Sequence, residues 1–224
     1  MKKILIGLLL LGVGYLYFIF SPKGHLLPFY HQIYSPKAYQ ELLERQKIAK
    51  KQVEKTDSLQ QEMLFVQHAR QLFRFWYGTT WDMNGTSQTP GKGKIACGYF
   101  VTTVLEDMGV SLARIRLSQM SSEKMIENLV SKKNSFRYIG IPFADFMEKM
   151  RQHGQGLYVV GLDTHTGFLV VDSNEILFIH SSQLSPSCVL EEDAALSATL
   201  QRSNYRLIGK LSKDKALLAN WIKE

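Results

Sequence analysis

Three side chains in this sequence have the types and settings for nucleophilic chemistry: Cys97, His165 and His180. Cys97 stands in Ile95-Ala96-Cys97-Gly98-Tyr99-Phe100-Val101. A helical spacing of Phe100, Val101, Val104, Leu105 and Met108 starts there, so the thiol opens an amphipathic helix predicted from Cys97 to about Met108 and stopped by Gly109. The reactive form of cysteine is the thiolate, with a reference pKa of about 8.5. A helix N-terminus offers unpaired N–H groups and the positive end of the dipole. An imidazole beside it takes the proton. These settings predict a thiolate–imidazolium pair near neutral pH. His165 follows the turn Asp163-Thr164 and opens a strand. His180 lies on the next strand, in Ile179-His180-Ser181, with the turn Asp172-Ser173-Asn174 between them. Folding that hairpin brings the rings together. A second imidazole can then accept the proton on the far nitrogen of the first and fix its tautomer.

Each residue also has a plainer reading. A lone cysteine is often a buried structural thiol, and a lone histidine a satisfied polar group. The only other cysteine, Cys188, lies in Ser185-Pro186-Ser187-Cys188, and in an exported chain a Cys97–Cys188 disulfide is open as an alternative. A zinc site of His165, His180 and a third ligand is a further alternative, although no H-x-x-x-H spacing is present. No metal and no cofactor are expected. His153 reads as exposed, and Asp163 and Asp172 as turn formers. Pro90-Gly91-Lys92-Gly93 does not meet the phosphate-loop pattern.

The elements that must position these side chains divide into helices first and strands later, an α+β order. Mixed charges over Ala38–Lys55 read as a helical stalk. Ser58-Leu59-Gln60-Gln61 has capping-box spacing and starts a helix to about Trp76, with Leu59, Met63, Val66, Ala69, Leu72 and Phe73 on one face. Tyr77 to Lys94 reads as a Gly/Thr/Asn-rich loop. Ser121 or Ser122 caps a short helix through Val130, and Phe143 to Arg151 forms another. Leu157–Leu162, His165–Val171 and Ile176–His180 read as an antiparallel meander. Tyr205–Leu211 is a further strand, and Lys213–Glu224 a helical tail.

The N-terminus carries Met1-Lys2-Lys3 and an uncharged run from Ile4 to Phe20. As a helix that run spans roughly 25 Å, against a hydrocarbon core of about 30 Å. The basic start directs the amino end to the cytoplasm. The run is either a cleaved signal peptide or, as its length and the absence of an A-x-A site favour, a signal anchor; both export the rest of the chain. The 224 residues carry a net charge of +7, of which residues 1–60 hold nine Lys/Arg against four Asp/Glu. That basic flank suits an anionic membrane or cell-wall polymer. The remainder has no basic stripe or nucleic-acid motif, so nucleic acid is not expected as a partner.

On these motifs the chain resembles the NlpC-type cell-wall cysteine peptidases, over roughly residues 58–211. Gly78-Thr79-Thr80-Trp81-Asp82-Met83-Asn84-Gly85 is similar to the family's Gly-Thr-x-Tyr-x-x-Gly loop, with Trp81 in place of the tyrosine. Ala96-Cys97-Gly98-Tyr99-Phe100 is similar to Asp-Cys-Ser-Gly-Phe, with Ala96 and Gly98 as departures. His165-Thr166-Gly167-Phe168-Leu169 is similar to His-Val-Gly-Ile-Tyr, and Ile179-His180-Ser181 to Ile-His-Ala. The resemblance implies a papain-like α+β fold, with N-terminal helices packed on an antiparallel sheet. It implies a cysteine peptidase or amidase, with Cys97 as nucleophile, His165 as general base and His180 orienting it. Trp81, Tyr77 and Gly98 are then expected to meet substrate. The substrate implied is a peptidoglycan stem peptide, often cut between D-glutamate and a diamino acid, and the chain would act as a monomer in the cell envelope. Amidases or acyltransferases on lipids or small amides share this fold, and a scaffold domain without turnover is the alternative from outside the enzymes. Residues 1–21 are thus expected as signal peptide or anchor, 22–56 as linker and basic stalk, 57–212 as the hydrolase domain and 213–224 as a helical tail.

Overall fold

The computed structural model describes residues 35–53 and 56–223. The apolar run Ile4–Phe20 lies outside them. Among the described residues no helix is long and apolar enough to cross a membrane. The chain is α+β, with eight helices and a six-stranded antiparallel sheet among the described residues.

Helix α1 is Pro36–Val53 and α2 is Ser58–Trp76. The cap of α2 is Asp57, whose carboxylate accepts the N–H of Gln60, one residue before the predicted capping box. Two short strands, β1 (Thr80–Trp81) and β2 (Lys94–Ile95), pair in parallel inside the expected loop. Helix α3 (Cys97–Asp107) follows, then α4 (Arg114–Ser118) and α5 (Ser122–Leu129), the last capped by Ser121. Strand β3 (Ser135–Ile139) and helix α6 (Phe143–Gln152) lead into β4 (Gly156–Leu162), β5 (Thr166–Val171), β6 (Ile176–Ser181) and β7 (Val189–Asp193). Helix α7 (Ala198–Arg202), strand β8 (Tyr205–Lys210) and helix α8 (Lys215–Lys223) complete the chain.

The large sheet runs in the order β3-β8-β4-β5-β6-β7. Its central strands are covered on both faces, which is why they read as unbroken apolar runs rather than alternating ones. On one face Val159, Phe168, Val170, Leu177, Ile179 and Leu207 meet α1, α2, α3, α5 and α8. On the other Tyr158, Val160, Leu169, Val171, Phe178 and Ile208 meet Phe146, Met147 and Met150 of α6 and Leu200 of α7. The N-terminal helices pack on one face of the sheet as expected, and a second helical layer covers the other. Helix α1 is not a solvated stalk. It buries Tyr39 and Leu42 in the core, donates the Tyr39 hydroxyl to Asp107 of α3, and offers that same oxygen to the Trp76 indole N–H at 3.1 Å. Nor is the C-terminal helix a free tail: Trp221 is fully buried against Phe65 and His68.

Candidate active site

The parallel pair β1–β2, in the register Trp81↔Ile95, delivers the chain into α3. Ala96 caps that helix in an extended conformation and makes no side-chain bond to it. The first-turn N–H groups are thus left without a side-chain acceptor. The backbone N–H groups of Thr166, of Gly98 and of Cys97 itself favour the charged form of the sulfur, acting against its burial. Gly98 is buried, and a Cβ there would lie 2.5 Å from the Ser118 carbonyl oxygen. Only glycine lets the first turn of α3 sit against the end of α4.

His165 lies in the turn between β4 and β5, closed by the Leu162 N–H donating to the His165 carbonyl at 2.8 Å. Asp163 anchors this turn: its carboxylate accepts the Ser203 hydroxyl at 2.9 Å and the Asn204 N–H at 2.8 Å. His180 lies on β6, where the register Phe168↔Ile179 sets Gly167 against it. A Cβ on Gly167 would come within 2.8 Å of the His180 Cβ and 2.7 Å of Phe178. Only a glycine lets β5 pass this close to Phe178 and His180. His165 Nε2 lies 2.8 Å from His180 Nδ1, the rings nearly perpendicular at 87°. Phe178 stacks on His180 at 4.0 Å. On the far side His180 Nε2 lies 3.2 Å from Glu192 Oε1 of β7. Glu192 was not foreseen from the sequence.

The helix and the strands converge through specific ties. The Thr166 N–H, one residue past His165, favours the Cys97 thiolate. The Ser181 hydroxyl, one residue past His180, donates to the Ile95 carbonyl at 2.7 Å. Phe73, Phe100 and Phe168 form a ring cluster with centroids 5.0–6.2 Å apart, joining α2, α3 and β5. Each such pair is worth about 0.5–1.5 kcal/mol beyond its buried area. Cys97 and His165 accordingly line one cleft of about 250 Å³, with Gly98, Met120, Met125 and Leu162 among its walls. The residues expected to meet substrate divide. Gly98 lines the cleft. Trp81 is half-buried beside Ile95, and Tyr77 is buried with its hydroxyl donating to Glu191 at 2.5 Å. Neither is among the residues lining that cleft: core packing and the Glu191 bond hold Tyr77, and β1 pairs Trp81 with Ile95.

Burial governs the electrostatics. It pushes the Cys97 thiol above its ordinary value, and the N–H donors offset this only in part. It lowers His165 to about 3, with His180 adding to the effect. It lowers His180 as well, against the pull of Glu192. The resting site therefore holds a neutral thiol and neutral rings. Desolvation thus opposes the thiolate that the helix N-terminus favours. Cys188 is also a free thiol, buried and raised to about 11. Among the described residues no group of three or more His, Cys, Asp or Glu side chains is placed to hold a metal ion. A thiol and an imidazole lining one cleft are the groups that nucleophilic acyl chemistry uses. The chain matches no protein-family model, and comparison with curated proteins and with solved structures likewise yields no match.

Proposed function

We propose that this chain is an exported cysteine hydrolase of the papain-like, NlpC-type group that cleaves amide bonds, with peptidoglycan stem peptides as the substrate class. The observation that carries the reading is a thiol at the start of α3 sharing a cleft with His165, whose far nitrogen is bonded to His180 at 2.8 Å. Cys97 Sγ attacks the amide carbonyl carbon while its proton passes to His165 Nδ1, the nitrogen not engaged by His180. The tetrahedral intermediate expels the amine, which leaves with that proton, and a thioester remains on Cys97. Water then attacks the thioester, His165 Nδ1 takes its proton, and the carboxylate product departs as the thiol is restored. In this reading the Cys97 N–H stabilises the developing oxyanion, and losing such a donor typically costs a factor of about 10²–10³. Because the resting pair is neutral, proton transfer accompanies attack rather than preceding it. The segment Ile4–Phe20 would tether a monomeric enzyme to the membrane on the extracytoplasmic side, its basic flank against anionic lipid or wall polymer.

A second reading has its own support. Met120, Met125 and Leu162 give the cleft an apolar wall, which suits the acyl chain of an amidase or acyltransferase substrate. Full-length protein incubated separately with defined muropeptides and with N-acyl amides distinguishes the two. New amine from muropeptides supports the first reading. Acyl transfer or cleavage confined to N-acyl amides replaces it with the second, and inertness toward both, with Cys97 unacylated, leaves a scaffold domain.

A further inference from the structure

The hydrogen-bond chain does not end at His180, and the carboxylate it reaches dictates the state of both rings. Resting on the hydrolase reading above, we infer that Glu192 is a positioning residue that fixes the tautomers of both histidines and so leaves His165 Nδ1 bare to act as the base. A carboxylate only accepts hydrogen bonds. His180 Nε2, 3.2 Å from Glu192 Oε1, must therefore carry the proton of that bond. A neutral ring has a single ring proton, so His180 Nδ1 is left as an acceptor. The 2.8 Å contact between His180 Nδ1 and His165 Nε2 then needs its proton from His165. His165 in turn has its one proton on Nε2, and Nδ1 is a free lone pair. Burial, which lowers both histidines, keeps them singly protonated and the chain of inference intact.

The fold supplies this arrangement from β7. Its register on β6 sets Glu192 against Phe178, and Phe178 stacks on the His180 ring, so the strand that presents the carboxylate also fixes the ring it meets. The neighbouring carboxylate, Glu191, accepts the Tyr77 hydroxyl instead. Without an acceptor at Glu192, His180 can hold its proton on Nδ1. His165 Nε2 must then accept, its own proton moves to Nδ1, and the base is occupied.

The test is ¹⁵N spectroscopy of the imidazoles in full-length protein labelled at histidine, at pH 7, for the wild type, Glu192→Gln and Glu192→Leu. The wild type is expected to show both rings protonated at Nε2 and His165 bare at Nδ1. Glu192→Gln keeps an accepting oxygen and should keep that pattern. Glu192→Leu should show His165 protonated at Nδ1 in a substantial fraction of molecules, with kcat lowered about 10–100-fold at unchanged KM. A wild-type His165 protonated at Nδ1, or an unchanged pattern in Glu192→Leu, overturns the inference. If Glu192→Leu does not fold, the wild-type spectrum and Glu192→Gln decide alone. The spectra need no turnover, so an inert protein with the expected ring states would remove the hydrolase reading and leave the relay standing.

Discussion

At Cys97 two opposing effects act on one sulfur. The first turn of α3 and the Thr166 N–H favour the thiolate, and burial in a cleft of about 250 Å³ disfavours it. Burial wins, so alkylation by iodoacetamide should rise continuously from pH 7 to above pH 9 for Cys97, with no plateau below pH 8. Cys188, raised to about 11 and buried where Cys97 is half-buried, should label more slowly throughout. Peptide mapping of the labelled protein against pH measures both; equal rates, or a plateau for Cys97 near pH 6, would contradict the neutral resting pair. The histidines predict a second behaviour. His165 is lowered to about 3 and His68 to about 4, so the unfolded chain takes up their protons first as pH falls from about 6.5. Their contribution to stability is full above that point and is lost on acidification. Asp107, raised to about 7, acts with the opposite sign between about pH 4 and 7. The two histidines together outweigh it, so Tm should fall from pH 6.5 to 4.5. His68→Leu removes one of them without touching the cleft, and its Tm should fall less over the same interval.

Among the elements, the β4–β7 meander is the device that makes a site from distant residues. Strands β4, β5 and β6 and helices α2, α3 and α6 were legible because their apolar patterns are long and consistent, and with them the meeting of His165 and His180. Strand β7 was not legible. Val189-Leu190-Glu191-Glu192-Asp193 ends in three acidic residues, and its extended form is imposed by pairing with β6 rather than by its own preference. Glu192 was missed for that reason. The five-residue helices α4 and α7 were missed because they are too short for a periodicity. Tyr77 was expected to meet substrate, and only the folded chain shows its hydroxyl bonded to Glu191. The close passage of β5 and β6 at Gly167 gives a sharp prediction. Gly167→Ala should destabilise the fold by about 1–3 kcal/mol through overpacking. The added methyl must push against the Ile179 carbonyl and the His180 Cβ, each 2.8 Å away. Denaturant titration reads the first effect; turnover, falling by more than the loss of folded protein explains, reads the displaced ring.

For the molecule as a whole, two helical layers enclose the sheet, and the first helix belongs to that enclosure. A chain beginning at Asp57, the boundary suggested by composition, would strip Tyr39 and Leu42 from the core and the Tyr39 bond from Asp107. Its urea midpoint should lie well below that of a chain beginning at Ser35; losing the Tyr39 ring alone typically costs about 3 kcal/mol. Equal midpoints would make α1 the stalk that its charges suggested. Placement of the site depends on this enclosure, since α3 is held on β5 by rings from α2 and on α1 by Asp107. The most direct test of the account is to incubate full-length protein with peptidoglycan stem peptides and to follow released amine together with the intact mass of the protein. The wild type should release amine and carry a transient acyl group mapped to Cys97, and Cys97→Ala should do neither. Amine released equally by Cys97→Ala, or neither amine nor adduct from the wild type, would contradict it.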